Sequence, residues 1–479
     1  MGWKDILLMQ NELLLILAIL VVLIADLAYS GEGRKSFYQL CLAAVIGATL
    51  IGILFPGDDG SVFGKMYVTT PLQKLMKTIL NVGTVVVLLQ AWGWLKGDEQ
   101  KDRIGEFVIL ILSTLIGMGY MISAGHFIMF YLGLELATIP LAALAAYESH
   151  KSKSAEAGIK MILLAAFSSG IMLFGISMLY AVGGTLYFED IVPMLNGNVL
   201  SVLGLITFFT GLAFKISLVP FHLWTADVYE GSPINVTSYL SVVSKGAAVF
   251  ILVIVLNTVF ASMNDTWDPL VYVLVITTIT IGNLFAIRQR NIKRFLAFSS
   301  IAQAGFILLG VINNSGLGIA TVVYFVLVYV FSNLAAFGVA AAISSKTGLE
   351  SIDDYKGFYR TNPNLSLVMM LAMFSLAGIP PFAGFFGKFF LFTAAAEKSY
   401  YWLVLIAVLN SIISLYYYLL VIKAMFIDKS DTPIAWFKSN LPMRVSLVIC
   451  VMGIIVIGFY GGLFDYINEL GQSLFVNIH

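Results

Sequence analysis

Apolar stretches of about 18 residues or more, each long enough to cross a bilayer as a helix, recur along the whole chain. About fourteen can be counted: 12–29, 38–55, 72–95, 104–122, 126–147, 157–182, 199–223, 233–260, 269–287, 292–312, 316–343, 365–396, 401–426 and 442–464. This pattern restricts the fold more than any other feature. Backbone polar groups in hydrocarbon must be satisfied within their own segment or a closed barrel, and these runs are far longer than barrel strands. The expectation is an all-α, polytopic membrane protein of about fourteen transmembrane helices. The composition fits: 59% of residues are hydrophobic and 11% charged, where soluble domains carry about 25% charge. Zero net charge argues against nucleic acid as a partner. The run at 12–29 has no A-x-A-like cleavage site after it and reads as a retained helix.

Lys and Arg between the spans give an orientation. Loops after odd-numbered helices hold 17 of them, among them Arg34, Lys35, Lys151, Lys153, Arg288, Arg290, Lys293, Arg294, Lys346 and Lys356. The opposite side holds only Lys4, Lys65 and Lys398. By the positive-inside rule the basic loops face the cytoplasm and both termini lie outside.

Seven basic residues remain on the helices, and all are lysines: 74, 77, 160, 215, 245, 388 and 423. A cation at the bilayer centre costs roughly 2.5–3.5 kcal/mol on insertion scales, which makes such residues functional candidates. The competing reading is snorkelling to the interface, expected for Lys74, Lys77 and Lys423 near helix ends. Lys160, with Glu156 at i−4, reads equally as a surface ion pair or a pathway residue. Lys215, Lys245 and Lys388 lie too deep for easy snorkelling. Glu135 is the one carboxylate near mid-span, and Pro140 follows five residues on.

Two spans are interrupted. FKISLVPFHLWTADVYEGSP (214–233) places Pro220 near Lys215, and AGIPPFAGFFGKFF (377–390) places Pro380, Pro381, Gly384 and Gly387 before Lys388. Paired broken helices, each with a charge, point to a transport path. They fall in helices 7 and 12, consistent with two inverted five-helix repeats, helices 4–8 (104–260) and 9–13 (269–426). Helices 1–3 (1–103) precede these repeats and a C-terminal helix (442–479) follows. On helix 8, Thr237, Ser241 and Lys245 recur at i, i+4 and i+8, a stripe suited to line water. Gln303, Asn333, Ser299, Ser300, Ser375, Asn410, Ser411 and Ser414 lie inside later spans and extend a hydrated path from Lys245 towards Lys388; individually, each can simply pack helices. His126, His150, His222 and His479 are too few and scattered for paired haem ligation, and Cys41 and Cys450 have no ligand-like spacing. No cofactor or metal is expected in this chain.

The segments YLGLELATIPLAAL, AEAGIKMILLAAFSSG, FKISLVPFHLWTADVYEGSPINVTSYLSVVSKGAAVF, RNIKRFLAFSSIAQAGF and FSLAGIPPFAGFFGKFFLF, in this order over residues 100–430, resemble the antiporter-like membrane subunits of respiratory complex I. Lysine at 245, with DVYEGSP, resembles the subunit-N (subunit-2) branch rather than the L, M and cation/proton antiporter branches, which usually carry a histidine there. One departure is Trp224-Thr225-Ala226-Asp227, where the family pattern has a proline before the aspartate; it leaves the role of Asp227 open. The resemblance implies Glu135 and Lys215 as a switching ion pair, Lys245 as central relay and Lys388 as terminal proton donor or acceptor. It also implies partners: other antiporter-like and small helical membrane-arm subunits, with NADH, FMN, iron–sulfur clusters and quinone handled by neighbouring subunits. A cation/proton antiporter subunit or a hydrogenase-linked homologue stands as the alternative.

Lysine, with a free pKa near 10.4, releases a proton at neutral pH only if burial lowers that value. An opposite charge at about 4 Å is worth roughly 4 kcal/mol at an effective dielectric near 20. Bringing Glu135 to Lys215 would therefore load the lysine, and withdrawing it would favour release towards Lys245.

Overall fold

The computed structural model describes residues 3–29, 34–97 and 100–478. The side chains of Lys4, Arg34 and Lys35, counted above, and His479 lie outside that description. The spans run α1 (Gln10–Ala28), α2 (Arg34–Leu54), α3 (Pro71–Leu95), α4 (Ile104–Ile122), α5 (127–145), α6 (Ser152–Gly183) and α7, in halves α7a (Val199–Ile216) and α7b (Leu223–Gly231). They continue with α8 (234–258), α9 (Asn264–Ala286), α10 (Ile292–Val311), α11 (Gly316–Thr347), α12 in halves α12a (Pro363–Ala377) and α12b (Ala383–Glu397), α13 (Tyr401–Phe426) and α14 (Leu441–Phe459). Among the described residues, thirteen segments are long and apolar enough to cross a membrane. The two halves of α12 make the fourteenth crossing expected from the sequence.

Both breaks sit where the sequence places them. In α12, Gly378 is left-handed (φ +86°), and Pro380 and Pro381 have no N–H with which to continue the ladder. A β-carbon at Gly378 would sit 3.0 Å from Lys388 Cδ, so the glycine also makes room for the lysine stem. In α7, Ser217 is left-handed (φ +69°) and Pro220 follows. Helix α7b runs unbroken through Ala226, and it is tied back to α7a by Trp224, which stacks on Phe214 and donates to its carbonyl at 3.0 Å.

The spans α8, α10 and α11 are buried nearly all round, whereas α1, α6, α13 and α14 expose residues such as Ile24, Phe167, Ile412 and Val448. Apolar helices of the first kind form the bundle core and those of the second present a lipid-facing surface. Two features were not expected. A hairpin, β1 (Gly60–Val62) with β2 (Tyr67–Thr69), joins α2 to α3, and the C-terminal run divides into α14 and a separate α15 (Gly462–Ile478). Phe464 of α15 stacks on Phe390, and Gly471 packs against Gly316 at the start of α11.

Loops of the same parity meet one another. Lys153 pairs with Glu230, Arg294 with Glu230 and Asp227, and Lys293 with Glu350, which joins the connections after α5, α7, α9 and α11 at one end. At the other end, the β2 strand bridges to Ala124, His126 to Tyr187, and Lys398 pairs with Asp268. This segregation requires alternating crossings. The first end, rich in Lys and Arg, is called the basic end below.

Candidate functional site

Lys215 occupies the last turn of α7a, and its amine donates to Thr138 Oγ1 at 2.7 Å on α5. Helix α5 is interrupted there, between Phe127–Leu136 and Ile139–Ala145, and Pro140, which has no N–H to donate, sits in the first turn of the second segment. Glu135, three residues before Thr138, acts on Lys215 electrostatically without forming an ion pair within 4.0 Å. Its Oε1 is buried without a protein partner. The two charges that the sequence brings together as a switch are thus held near each other but apart, with a hydroxyl taking the amine's hydrogen bond. A cavity of about 30 Å³ lies beside Lys215, lined by Thr138, Ser168, Trp224 and Ser244. It is roomy enough for a water molecule, and it reaches Ser244, the neighbour of Lys245.

Helix α8 does not carry the regular stripe read from the sequence. Residues Leu240–Ser244 form a π-helical turn between α-helical Ile234–Tyr239 and Lys245–Thr258. The wider turn shifts the phase of everything after it, and such turns recur at functional sites. Thr237 consequently leaves the path: its hydroxyl donates to the carbonyls of Tyr229 (2.9 Å) and Pro233 (3.3 Å). Ser241 meets Tyr329 OH at 3.0 Å and accepts from Asn333 at 2.8 Å, while Asn333 also donates to Tyr329 at 2.6 Å. Lys245, 3% exposed, donates to Ser300 of α10 and has the Tyr229 ring 5.9 Å away. Among the described residues no carboxylate pairs with it.

From Ser300 the polar groups continue. Its neighbour Ser299 meets Tyr418 OH at 2.6 Å, and Gln303, one turn along α10, donates to Tyr418 at 3.0 Å and to the Leu376 carbonyl at 3.1 Å. The next carbonyl, Ala377, stands at the break of α12 and accepts from Lys388 at 3.0 Å. Lys388 also donates to Ser411 (3.1 Å) and Ser414 (3.4 Å) of α13, over the Phe306 ring at 4.7 Å. It too is 3% exposed. The structure thus places separate sets of contacts next to one another. Lys245–Ser300 adjoins Ser299–Tyr418–Gln303 through neighbouring residues of α10, and the Leu376 carbonyl of the latter set lies beside the Ala377 carbonyl that holds Lys388. Ser241 and Asn333 share a third set with Tyr329.

Tyr329 and Tyr418, which hydrogen-bond Ser241, Asn333, Ser299 and Gln303, are not among the residues singled out from the sequence. Their position was the available signal, since tyrosine belongs to the interfacial belts, and one in mid-span needs a polar partner.

Lys160 lies elsewhere. It pairs with Glu156 (2.6 Å) and Asp227 (2.8 Å), and Asp227 pairs in turn with Arg294 (2.7 Å), so it ties α6 to α7b and α10 at the basic end. This answers what Asp227 does in this chain: it bridges two cations. Beside this network a cavity of about 520 Å³ opens at the basic end, lined by Trp94, Glu148, Asn235, Lys293 and Glu350. Asn235 is on the first turn of α8, the helix that leads to Lys245.

Snorkelling describes Lys423, 3.7 Å from Asp428, and Lys74, 2.7 Å from Asp59. It fails for Lys77, which is 3% exposed and paired with Glu12 at 2.7 Å. Glu12 sits at the start of an apolar run, where a carboxylate normally faces water, so nothing in the sequence marks it as a buried partner.

The family described as NADH:quinone oxidoreductase/Mrp antiporter, TM matches residues 124–414. NADH-quinone oxidoreductase subunit N of Phocaeicola vulgatus is 52% identical over 96% of this chain and 98% of its own. The protein of that name from Azobacteroides pseudotrichonymphae is 49% identical over 98% of both chains. Among solved structures, a chain of respiratory complex I from Thermus thermophilus with bound aureothin superposes with TM-score 0.80 at 27% identity, covering 95% of this chain and 98% of that one. A chain of the Mrp complex from Dietzia sp. shares the fold, with TM-score 0.85 at 20% identity over 100% of this chain and 98% of the other. With its fourteen crossings, two broken spans and buried lysines, the chain belongs to the subunit N family of NADH-quinone oxidoreductase.

Proposed function

We propose that this chain carries protons across the membrane along Lys215, Lys245 and Lys388, gated by Glu135, within an assembled NADH:quinone oxidoreductase whose redox groups reside in other subunits. The observation that supports it best is the succession of polar groups between the two lysines: Lys245 bonded to Ser300, the adjacent Ser299 bonded to Tyr418 with Gln303, and Gln303 bonded to the Leu376 carbonyl next to the Ala377 carbonyl that accepts from Lys388. An apolar bundle has no packing reason to bury two such amines without carboxylate partners, at roughly 2.5–3.5 kcal/mol each. Hydroxyls and amides lower that cost and can accept and pass protons. In this reading Lys160 and Thr237 are structural, and the basic-end cavity and the smaller one beside Lys215 admit water. Antiporter-like and small helical membrane-arm subunits are its neighbours.

The chain isolated from its native membrane with intact partners is expected to bring flavin and iron–sulfur proteins with it. Recovery of membrane subunits alone would favour a cation/proton antiporter, a reading the Mrp-like fold keeps in view.

The basic end is assigned to the cytoplasm of a bacterial cell, with both termini outside. Ser152→Cys and Ser262→Cys, both on exposed positions at opposite ends, should react with an impermeant maleimide from opposite sides. Cys41 and Cys450 are buried and give little background. Labelling of both from one side would overturn the orientation and the count of crossings together.

A further inference from the structure

A second buried charge cluster lies away from the lysine path. Glu12 on α1 is 0% exposed and pairs with Lys77 on α3 at 2.7 Å. Tyr67, on β2, donates to Glu12 Oε2 at 2.7 Å and accepts from Lys77 at 2.8 Å, closing a three-membered ring of contacts. Gly119 of α4 is required by this arrangement, since a β-carbon there would lie 2.5 Å from Glu12 Oε1. Nearby titratable groups are Lys74, itself paired with Asp59, and Tyr120. The neutral pair Asn11–Asn81 (2.6 Å) completes the polar lining on α1 and α3.

A mere clamp between α1 and α3 does not need charge, because buried ion pairs are often no more stable than apolar residues of the same shape. Two further observations point to exchange with water. A cavity of about 40 Å³, lined by Tyr67, Lys77, Thr78, Asn81 and Asp58, leads from the cluster towards the loop joining α2 and α3, at the end opposite the basic loops. It exceeds the room one water needs. In addition, Leu80, one turn along α3 from Lys77, packs against Gly246, the residue after Lys245. The cluster therefore lies on the helix that packs against the residue after the central lysine, one turn nearer the opposite end.

We propose that Glu12, Lys77 and Tyr67 form a proton-exchange site that takes a proton from water on the side opposite the basic loops and returns it there. Lys77, which lines the cavity, passes a proton to the Glu12 carboxylate 2.7 Å away and takes one in turn from water in the cavity. The ion pair then becomes a neutral acid beside a free ammonium, and the added positive charge, one turn from the level of Lys245, opposes protonation there. Release of that proton restores the pair. This inference rests on the reading that the chain translocates protons.

The test uses the assembled complex in sealed vesicles, with Glu12→Gln, Lys77→Met, the double variant and the exchanged pair Glu12→Lys/Lys77→Glu, and with Lys388→Met as reference. Infrared spectra of the purified complex, recorded as pH is lowered, report the carboxylic acid directly. Expected are a protonated-carboxyl band missing in Glu12→Gln, loss of much of the translocation per electron in Glu12→Gln and Lys77→Met, and no recovery in the exchanged pair. Normal translocation by the double variant, full recovery by the exchanged pair, or no Glu12-dependent band would each overturn the site. A normal Lys388→Met complex would instead strike at the translocation reading itself, so the two failures are distinguishable.

Discussion

Lys215→Met is expected to abolish proton translocation by the assembled complex while leaving its assembly intact. The amine sits at the end of α7a with Thr138 as its hydrogen-bond partner, in a cavity rather than a tight socket. An unbranched apolar chain of similar length can fill that space. What disappears is the one group able to hold a proton between Glu135 and Lys245. Glu135→Gln keeps the shape and removes the charge, so it should slow translocation without abolishing it. An opposite charge at about 4 Å would be worth roughly 4 kcal/mol at an effective dielectric near 20; Glu135 stands farther than 4.0 Å from the amine, so less loading is lost and translocation slows rather than stops. Lys423→Ala is the control, because its amine is exposed and pairs loosely with Asp428. Equal losses in all three variants, measured as acidification per electron in inverted vesicles, would show that the deep and peripheral lysines were wrongly separated.

Separation by depth along a helix was also where sequence reasoning was strongest and where it failed. Spans, breaks and the sorting of loops by parity depend on local apolarity, on Pro and Gly, and on charge counts, all of which are properties of short segments. They were legible. Lys77 was misread because depth along α3 says nothing about what α1 presents to it; only the packed bundle brings Glu12 and Tyr67 to that amine. Thr237 was misplaced for a different reason. A π-helical turn at Leu240–Ser244 changes the phase of the face it seemed to share with Lys245, and no sequence period marks such a turn. The polar contacts beyond Lys245 include Tyr418, which arrives from α13, more than a hundred residues away. Contacts of this kind are tertiary, and a serine or glutamine inside a span could not by itself name its partner. The contact between Lys160 and Asp227 is similar: an i−4 partner was visible, the second carboxylate was not.

Lys388 stands at the far end of those polar contacts, and paired substitutions there separate titration from charge. Lys388→Met removes the amine and retains an unbranched chain. Because the ammonium is buried among carbonyl and hydroxyl oxygens without a carboxylate, its removal should leave the thermal stability of the complex unchanged or raised. Lys388→Arg keeps a cation that remains charged at any relevant pH. Its hydrogen bonds to Ala377, Ser411 and Ser414 can be partly replaced, although Gly378 leaves little spare room beside the stem. A group that must alternate between protonated and neutral forms fails with either substitution. A cation that only braces the break in α12 fails with methionine and survives with arginine. The expected outcome is therefore loss of proton translocation in both variants, with electron transfer and assembly monitored in the same membranes. Each proton driven outward must overcome roughly 2.3 kcal/mol per 100 mV, so a terminal group fixed in one charge state cannot drive net transfer. Near-normal acidification by the Lys388→Arg complex would remove Lys388 from the path and leave the α12 break as a structural joint.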